Sequence, residues 1–309
     1  MDDMAGPSLS ERYLGCLVGL ACGDALGGPF EFRSRDAIAR EHPKGPREFT
    51  GGGWLSLAPG EITDDTQMTM ALARSCGPGG LDMDRLVAEF LDWYRSDPKD
   101  IGGTTRSALA RLAGGESWEE AGEAVQREAG PRGAAGNGTV MRCAPAGMRF
   151  RRDPAGLVRA SIDSARITHA DPRCTWGAVA VNQAIAHLLD GGETAGAPAA
   201  AIEGVPEKRV RDAVTSAAGT SRDDLRAGGY VLDTIRSALW CLANHGGFEE
   251  TVVAAVSLGD DADTTGAVTG ALAGAAYGIG AIPARWRDAV QHRDELERLA
   301  VSLLTWSEA

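Results

Sequence analysis

Two short acidic clusters hold the residue types best suited to chemistry: Thr63-Asp64-Asp65-Thr66, and Asp260-Asp261-Ala262-Asp263-Thr264 near the other end of the chain. Brought together, their carboxylates would repel one another and bind protons more tightly unless a cation sat between them. Short Asp and Thr oxygens are hard ligands, suited to Mg²⁺, Mn²⁺ or Ca²⁺. Each cluster opens an Ala- and Gly-rich segment of helical character, so side-chain oxygens and backbone N–H groups would converge at two helix N-termini. A simple Asp or Thr cap on a surface turn would account for either cluster alone, but a cap needs only one such residue. The string from Asp261 to Gly266 begins like an EF-hand calcium loop, yet its closing ligand position is Leu272, which excludes that motif.

Other residues could serve such a centre. Glu31 lies between Phe30 and Phe32 after a tight turn, and an apolar setting would raise its pKa and suit it to acid/base work; a surface loop Glu is the plain alternative. Asp100, in Asp100-Ile101-Gly102, stands at the start of a helical segment, as a cap or as a further acidic group. The stretch from Gly133 to Arg142, GAAGNGTVMR, is a glycine-rich turn running into a helix, which would offer N–H groups to a diphosphate or serve only as a turn. His169 falls at a helix break, where it would meet a ligand or merely face solvent, and Trp54 is a candidate for the wall of a cleft. No other His has metal-ligand spacing, and no Walker-type phosphate loop is present.

The elements that must position these groups read as helices throughout. Apolar residues recur at helical spacing from Ser10 to Leu26, with Ser10 as a candidate N-cap, and Gly15, Gly19 and Gly23 share one stripe that predicts a close helix contact. Helices are predicted at 65–76, 82–94, 104–113, 117–129, 140–148, 154–167 and 172–189, and after a Gly/Ala/Pro-rich connection at 191–206 again at 208–218, 231–243, 248–258, 263–277 and 294–305. A long Gly/Pro-rich loop runs to Gly60, of the kind that forms a lid or a binding loop. No β alternation and no fixed-period repeat is visible, so the expectation is an all-α fold, one compact domain over residues 1–309 with its core from about 10 to 306. With 43% hydrophobic and 24% charged residues the chain can bury a large core, and a net charge of -12 argues against an extended nucleic-acid surface. The six cysteines form no C-x-x-C pair and read as reduced core residues of a cytoplasmic protein. No leader is evident at the N-terminus, and the most apolar run, 267–282, is too rich in small residues and too close to an acidic cluster to predict a membrane span.

Taken in order, GCLVGLACGDALGGPFEF, GEITDDTQM, GNGTVMRCAP, the THAD string, GYVLDTIRSALW and LGDDADTTGAVTGALAGAAYG strongly resemble the ADP-ribosylglycohydrolase family, from about Arg12 to Gly278. The resemblance implies an all-α fold with two Mg²⁺ or Mn²⁺ ions in a cleft, and hydrolysis of ADP-ribose from a modified acceptor, most nearly ADP-ribosyl-arginine on a protein. Thr63, Asp64 and Asp65 match its first metal-binding group and Asp261, Asp263 and Thr264 its second, while Glu31 matches the acidic residue of its first motif. Asn137, Gly138 and Thr139 match a ribose-phosphate loop, and His169 and Tyr230 match positions that approach ADP-ribose. Asp100 resembles an acidic residue near the scissile bond, and either Asp65 or Glu31 would move the proton. Asp260 departs from the family pattern, which has Gly there. Two other readings fit the same motifs: a metal-dependent phosphohydrolase of a small nucleotide, and a non-catalytic ADP-ribose-binding or structural member.

Overall fold

A computed structural model describes residues 6–130 and 134–308, so Gly133, the start of the glycine-rich stretch, and the first five residues lie outside the described residues. The architecture is all-α, and the helices fall close to their predicted spans. Among the described residues, β structure amounts to two-residue pairings such as Arg33–Ser34 with Gly259–Asp260.

The helix Leu9–Gly27 runs through the centre and is buried along most of its length. It is long and apolar enough to cross a membrane, but 94% of the relevant window is covered by the rest of the fold. Antiparallel to it lies the helix Ala262–Tyr277, and the glycine stripe explains how closely they approach. A Cβ added at Gly15, Gly19 or Gly23 would strike the carbonyl oxygen of Gly274, Gly270 or Gly266, and the reciprocal additions would strike Gly15, Gly19 and Gly23. Backbone therefore packs on backbone along three turns. Arg12 ties the far end of this pair, its guanidinium donating to the carbonyls of Leu188, Ala275 and Ala276 at the ends of two core helices, groups that lack intrahelical partners.

Four local expectations are corrected. The first helix is capped by Ser8 instead of Ser10, because Glu11 stands three residues after Ser8 and closes a capping box. The predicted 140–148 helix begins only at Ala144, since Pro145 has no N–H to give and sits in a first turn. Asp100 caps no helix, the next one starting at Gly103. The long early loop contains a helix, Arg35–Glu41, capped by Ser34.

Gly23→Ala should lower stability by about 3 kcal/mol or more, since neither backbone can yield. Gly246→Ala, where nothing lies within 4 Å of the added methyl, should stay within about 0.5 kcal/mol; paired urea titrations measure both.

Candidate active site

The glycine contact places the end of the first helix beside the start of Ala262–Tyr277, and there Asp24 organises the first acidic cluster. Fully buried, it accepts from Thr63 N–H at 3.1 Å, the Thr63 hydroxyl at 2.8 Å, Thr66 N–H at 3.1 Å and the Thr66 hydroxyl. These bonds fix the entry into the helix Asp64–Ser75 from outside it. Thr63 and Asp261 occupy the N-cap positions of the two acidic helices, yet neither makes a side-chain capping bond. The simple capping account therefore fails for both clusters.

The two clusters meet. Asp65 Oδ2 lies 3.3 Å from the Thr63 hydroxyl and 3.4 Å from that of Thr264, and Asp65 Oδ1 is buried with no hydrogen-bond partner. Glu31, Asp100 and Asp263 each offer a carboxylate oxygen, and these oxygens lie within 4.8 Å of one another. Burial is the main force raising these carboxyls, with mutual repulsion added: Asp24 and Asp100 are pushed up to about 6 and Glu31 to about 8, while Asp64, Asp65 and Asp263 also rise well above the ordinary range. An all-oxygen donor set, an orphaned buried oxygen and carboxyls held against their own repulsion together fit a hard divalent cation.

Above this floor opens a cleft of about 600 Å³, lined by Glu31, Asp64, Asp100, Asp260, Asp261 and Asp263 on its acidic side. The other lining is glycine-rich, including Gly102, Gly103, Gly136, Gly138, Gly228 and Gly229. Asn137 is oriented by bonds of 3.0 Å from its amide to Thr234 Oγ1 and Asp261 Oδ2, and its N–H donates to Gly229 O. His169 is buried, and burial with the nearby Arg142 charge pushes its pKa down to about 3. Arg142 donates to Thr168 Oγ1 at 2.7 Å, and the Thr168 hydroxyl is hydrogen-bonded to His169 Nδ1, 2.8 Å away. The imidazole is thus neutral, and its Nε2 edge lies beside Gly136 and Gly138 at the cleft wall.

The family model for ADP-ribosylglycohydrolase matches residues 5–308. The chain belongs to the ADP-ribosylglycohydrolase family. Over 301 residues it is 35% identical to the ADP-ribosyl-[dinitrogen reductase] glycohydrolase of Rhodospirillum rubrum, covering 95% of each protein. It is 34% identical to the ADP-ribosylarginine hydrolase Tri1 of Serratia proteamaculans (strain 568), covering 95% of this chain and 79% of that one. A solved structure described as an ADP-ribosylglycohydrolase-related protein complex superposes with a TM-score of 0.84 at 36% identity, covering 97% of this chain and 99% of that one.

In this ADP-ribosylglycohydrolase, the expected residues divide by position. Glu31, Asp64, Asp100, Asn137, Gly138, His169, Asp261, Asp263 and Thr264 line the cleft, whereas Thr63 and Asp65 lie beneath its floor. Thr139 turns into the fold, its hydroxyl donating to Cys174 O at 3.1 Å. Tyr230 stands at the N-terminus of Val231–Asn244, half exposed, with the Arg173 guanidinium 5.6 Å over its ring. Asp260 has a φ of 54°, the left-handed region that Gly enters freely and Asp tolerates. Sequence reasoning missed Asp24, Arg142 and the bond from Trp54 Nε1 to Glu31, 2.5 Å long. A signal for Arg142 existed: an arginine inside an otherwise apolar, glycine-led stretch needs buried acceptors, here the carbonyls of Gly138 and Ser164 and the Thr168 hydroxyl.

A carboxyl whose folded pKa is raised contributes stability below its unfolded value and loses it as pH rises through the folded one. Without divalent cation, the protein should therefore lose stability between about pH 4 and about pH 8, the window set by Asp24, Asp100 and Glu31. The rise in Tm on adding Mg²⁺ should grow across that same window. Asp24→Asn, which sets an NH₂ against N–H and O–H donors, should cost about 2–4 kcal/mol and flatten the Mg²⁺ response.

Proposed function

We propose that this chain cleaves the N-glycosidic bond between ADP-ribose and an arginine side chain of a modified protein, using two Mg²⁺ or Mn²⁺ ions. The observation that carries the reading is the meeting of two acidic helix starts beneath a cleft whose other lining is largely glycine, with Asn137, His169 and the aromatic rings of Phe32 and Trp54. The names of the Rhodospirillum and Serratia relatives support the arginine acceptor. Six buried free thiols, raised by burial and so poor nucleophiles, suit a reducing, cytoplasmic setting.

Asp64, Asp65, Asp261, Asp263, Thr63 and Thr264 would hold the cations, with Glu31 and Asp100 facing them from the cleft. Bound there, the cations would hold ribose hydroxyls and make a water molecule more acidic. Anions from the glycine-rich wall inward meet backbone N–H groups, including the first turn of Gly103–Ala113, whose cap residue Gly102 supplies no side-chain bond. His169 adds a neutral polar edge, and the amide of Asn137, fixed by Asp261 and Thr234, sets the edge where the two halves of the cleft join. Cleavage passes through an oxocarbenium-like state, whose positive charge the surrounding carboxylates stabilise. The proton carrier is Glu31 instead of Asp65. Glu31 lines the cleft and is fixed by Trp54, whereas Asp65 is only 1% exposed and lies below the floor as a ligand. Water enters the anomeric carbon as the carbon–nitrogen bond breaks, and the departing guanidine nitrogen takes up the proton.

ADP-ribosyl-arginine incubated with the protein should release ADP-ribose, and EDTA should abolish that release. Undiminished release in the chelator would sink the reading, and phosphate release without free ADP-ribose would favour phosphohydrolysis. Asp261→Asn should lower kcat by roughly a hundredfold or more and remove the Mg²⁺-dependent rise in Tm.

A further inference from the structure

The rim of the cleft beside Glu31 carries features that the packing of the fold does not require. Phe32 is 70% exposed and Trp54 is 54% exposed, although both line the cleft. Their ring centroids lie 5.4 Å apart with the planes tilted by 46°. Phe32 also holds a φ of 60°, a left-handed conformation in which a bulky side chain is sterically disfavoured. Its N–H donates to the carbonyl of Asp260 at 2.6 Å, and Asp260 is itself left-handed and exposed. A water-facing ring and a water-facing carboxylate are thus tied backbone to backbone at one point of the rim, each in a backbone conformation that costs energy. Such costs at a cleft mouth mark a surface kept for a ligand.

The charge around that point specifies the ligand. Among the described residues, no lysine or arginine lines the cleft, while Glu31, Asp100 and Asp260 all do. Arg33, the ladder partner of Asp260, is turned to Glu41 and to the Phe30 ring, 5.7 Å from its centroid. Two exposed aromatic faces beside an uncompensated carboxylate form the environment that a planar cation prefers. A negatively charged or plain hydroxyl-bearing acceptor gains nothing there.

We propose that Phe32, Trp54 and Asp260 receive the cationic side chain of the acceptor, holding its guanidinium between the aromatic faces and the Asp260 carboxylate while the adjoining bond lies at Glu31. This assignment rests on the reading of the cleft as an ADP-ribosyl hydrolase site and adds to it the residues that choose the acceptor. Asp260 is then a specificity-determining residue, separate from the ligands of the cations.

Asp260→Asn is the decisive variant, because Asn keeps the size and the tolerance for left-handed backbone and removes only the charge. Steady-state kinetics on ADP-ribosyl-arginine, with the full chain and Mg²⁺, should show KM raised roughly three- to tenfold and kcat changed by less than about twofold. Phe32→Ala should do the same. Calorimetric Kd values for free ADP-ribose, which has no acceptor, should stay within about twofold of wild type in both. Added NaCl should raise the wild-type KM and raise that of D260N less. Asp260→Gly, matched to the backbone, repeats the test should the Asn variant fold poorly. An unchanged KM in these variants, a fall in kcat alone, or a parallel loss of free ADP-ribose affinity would each overturn the assignment. A wild-type protein that neither binds ADP-ribose nor releases it would remove the underlying reading of the cleft, a different result from any of these three.

Discussion

The absence of side chains between the helices Leu9–Gly27 and Ala262–Tyr277 is the constraint on which the rest of the molecule depends. With Gly15, Gly19 and Gly23 against Gly274, Gly270 and Gly266, the two axes approach as near as backbones can. That approach decides where the helix ends fall. Asp24 and Glu31 leave the end of one helix as Asp261 and Asp263 begin the other, so residues 199 positions apart, Thr264 and Asp65, come within 3.4 Å. A larger residue in the stripe would move whole helix ends, and with them every oxygen in the cluster.

Against that rigid frame the cleft floor is electrostatically unfavourable. Buried carboxylates without cations are costly, and natural proteins keep such arrangements where the cost serves a purpose. Here the cost is concentrated in a few groups, and hydrogen bonds offset part of it: four donors on Asp24, the Trp54 indole on Glu31, the Asn137 amide on Asp261. These partners keep the oxygens pointed inward when repulsion would drive them apart. Stability and function are therefore in tension at the same atoms, a tension that a bound cation would relieve.

Much of this was legible in the sequence because its signals are local. Helical periodicity, the glycine stripe and the two Asp/Thr clusters each lie within a dozen residues, and each marked its element or its site. What stayed hidden depends on contacts distant in sequence. Asp24 looks like an ordinary polar residue in GDALGG until the Thr63–Thr66 turn is folded onto it, and nothing near Trp54 announces that its indole reaches Glu31. Pro145 shortened a helix that apolar spacing alone had extended, since spacing reports faces and not which N–H groups are available. The left-handed backbone of Asp260 is invisible in a string of acidic letters, because φ is set by the pairing with Arg33 and Phe32 far away in the chain.

The relay from Arg142 through Thr168 to His169 has a consequence for the environments in which the cleft can work. Because burial and the Arg142 charge push the imidazole pKa down to about 3, His169 stays neutral from mildly acidic to alkaline surroundings. Acid sensitivity must then reside in the carboxyl floor. Adaptation to a more acidic setting would proceed by relieving crowding among Asp24, Asp100 and Glu31, leaving the glycine-rich wall as it is.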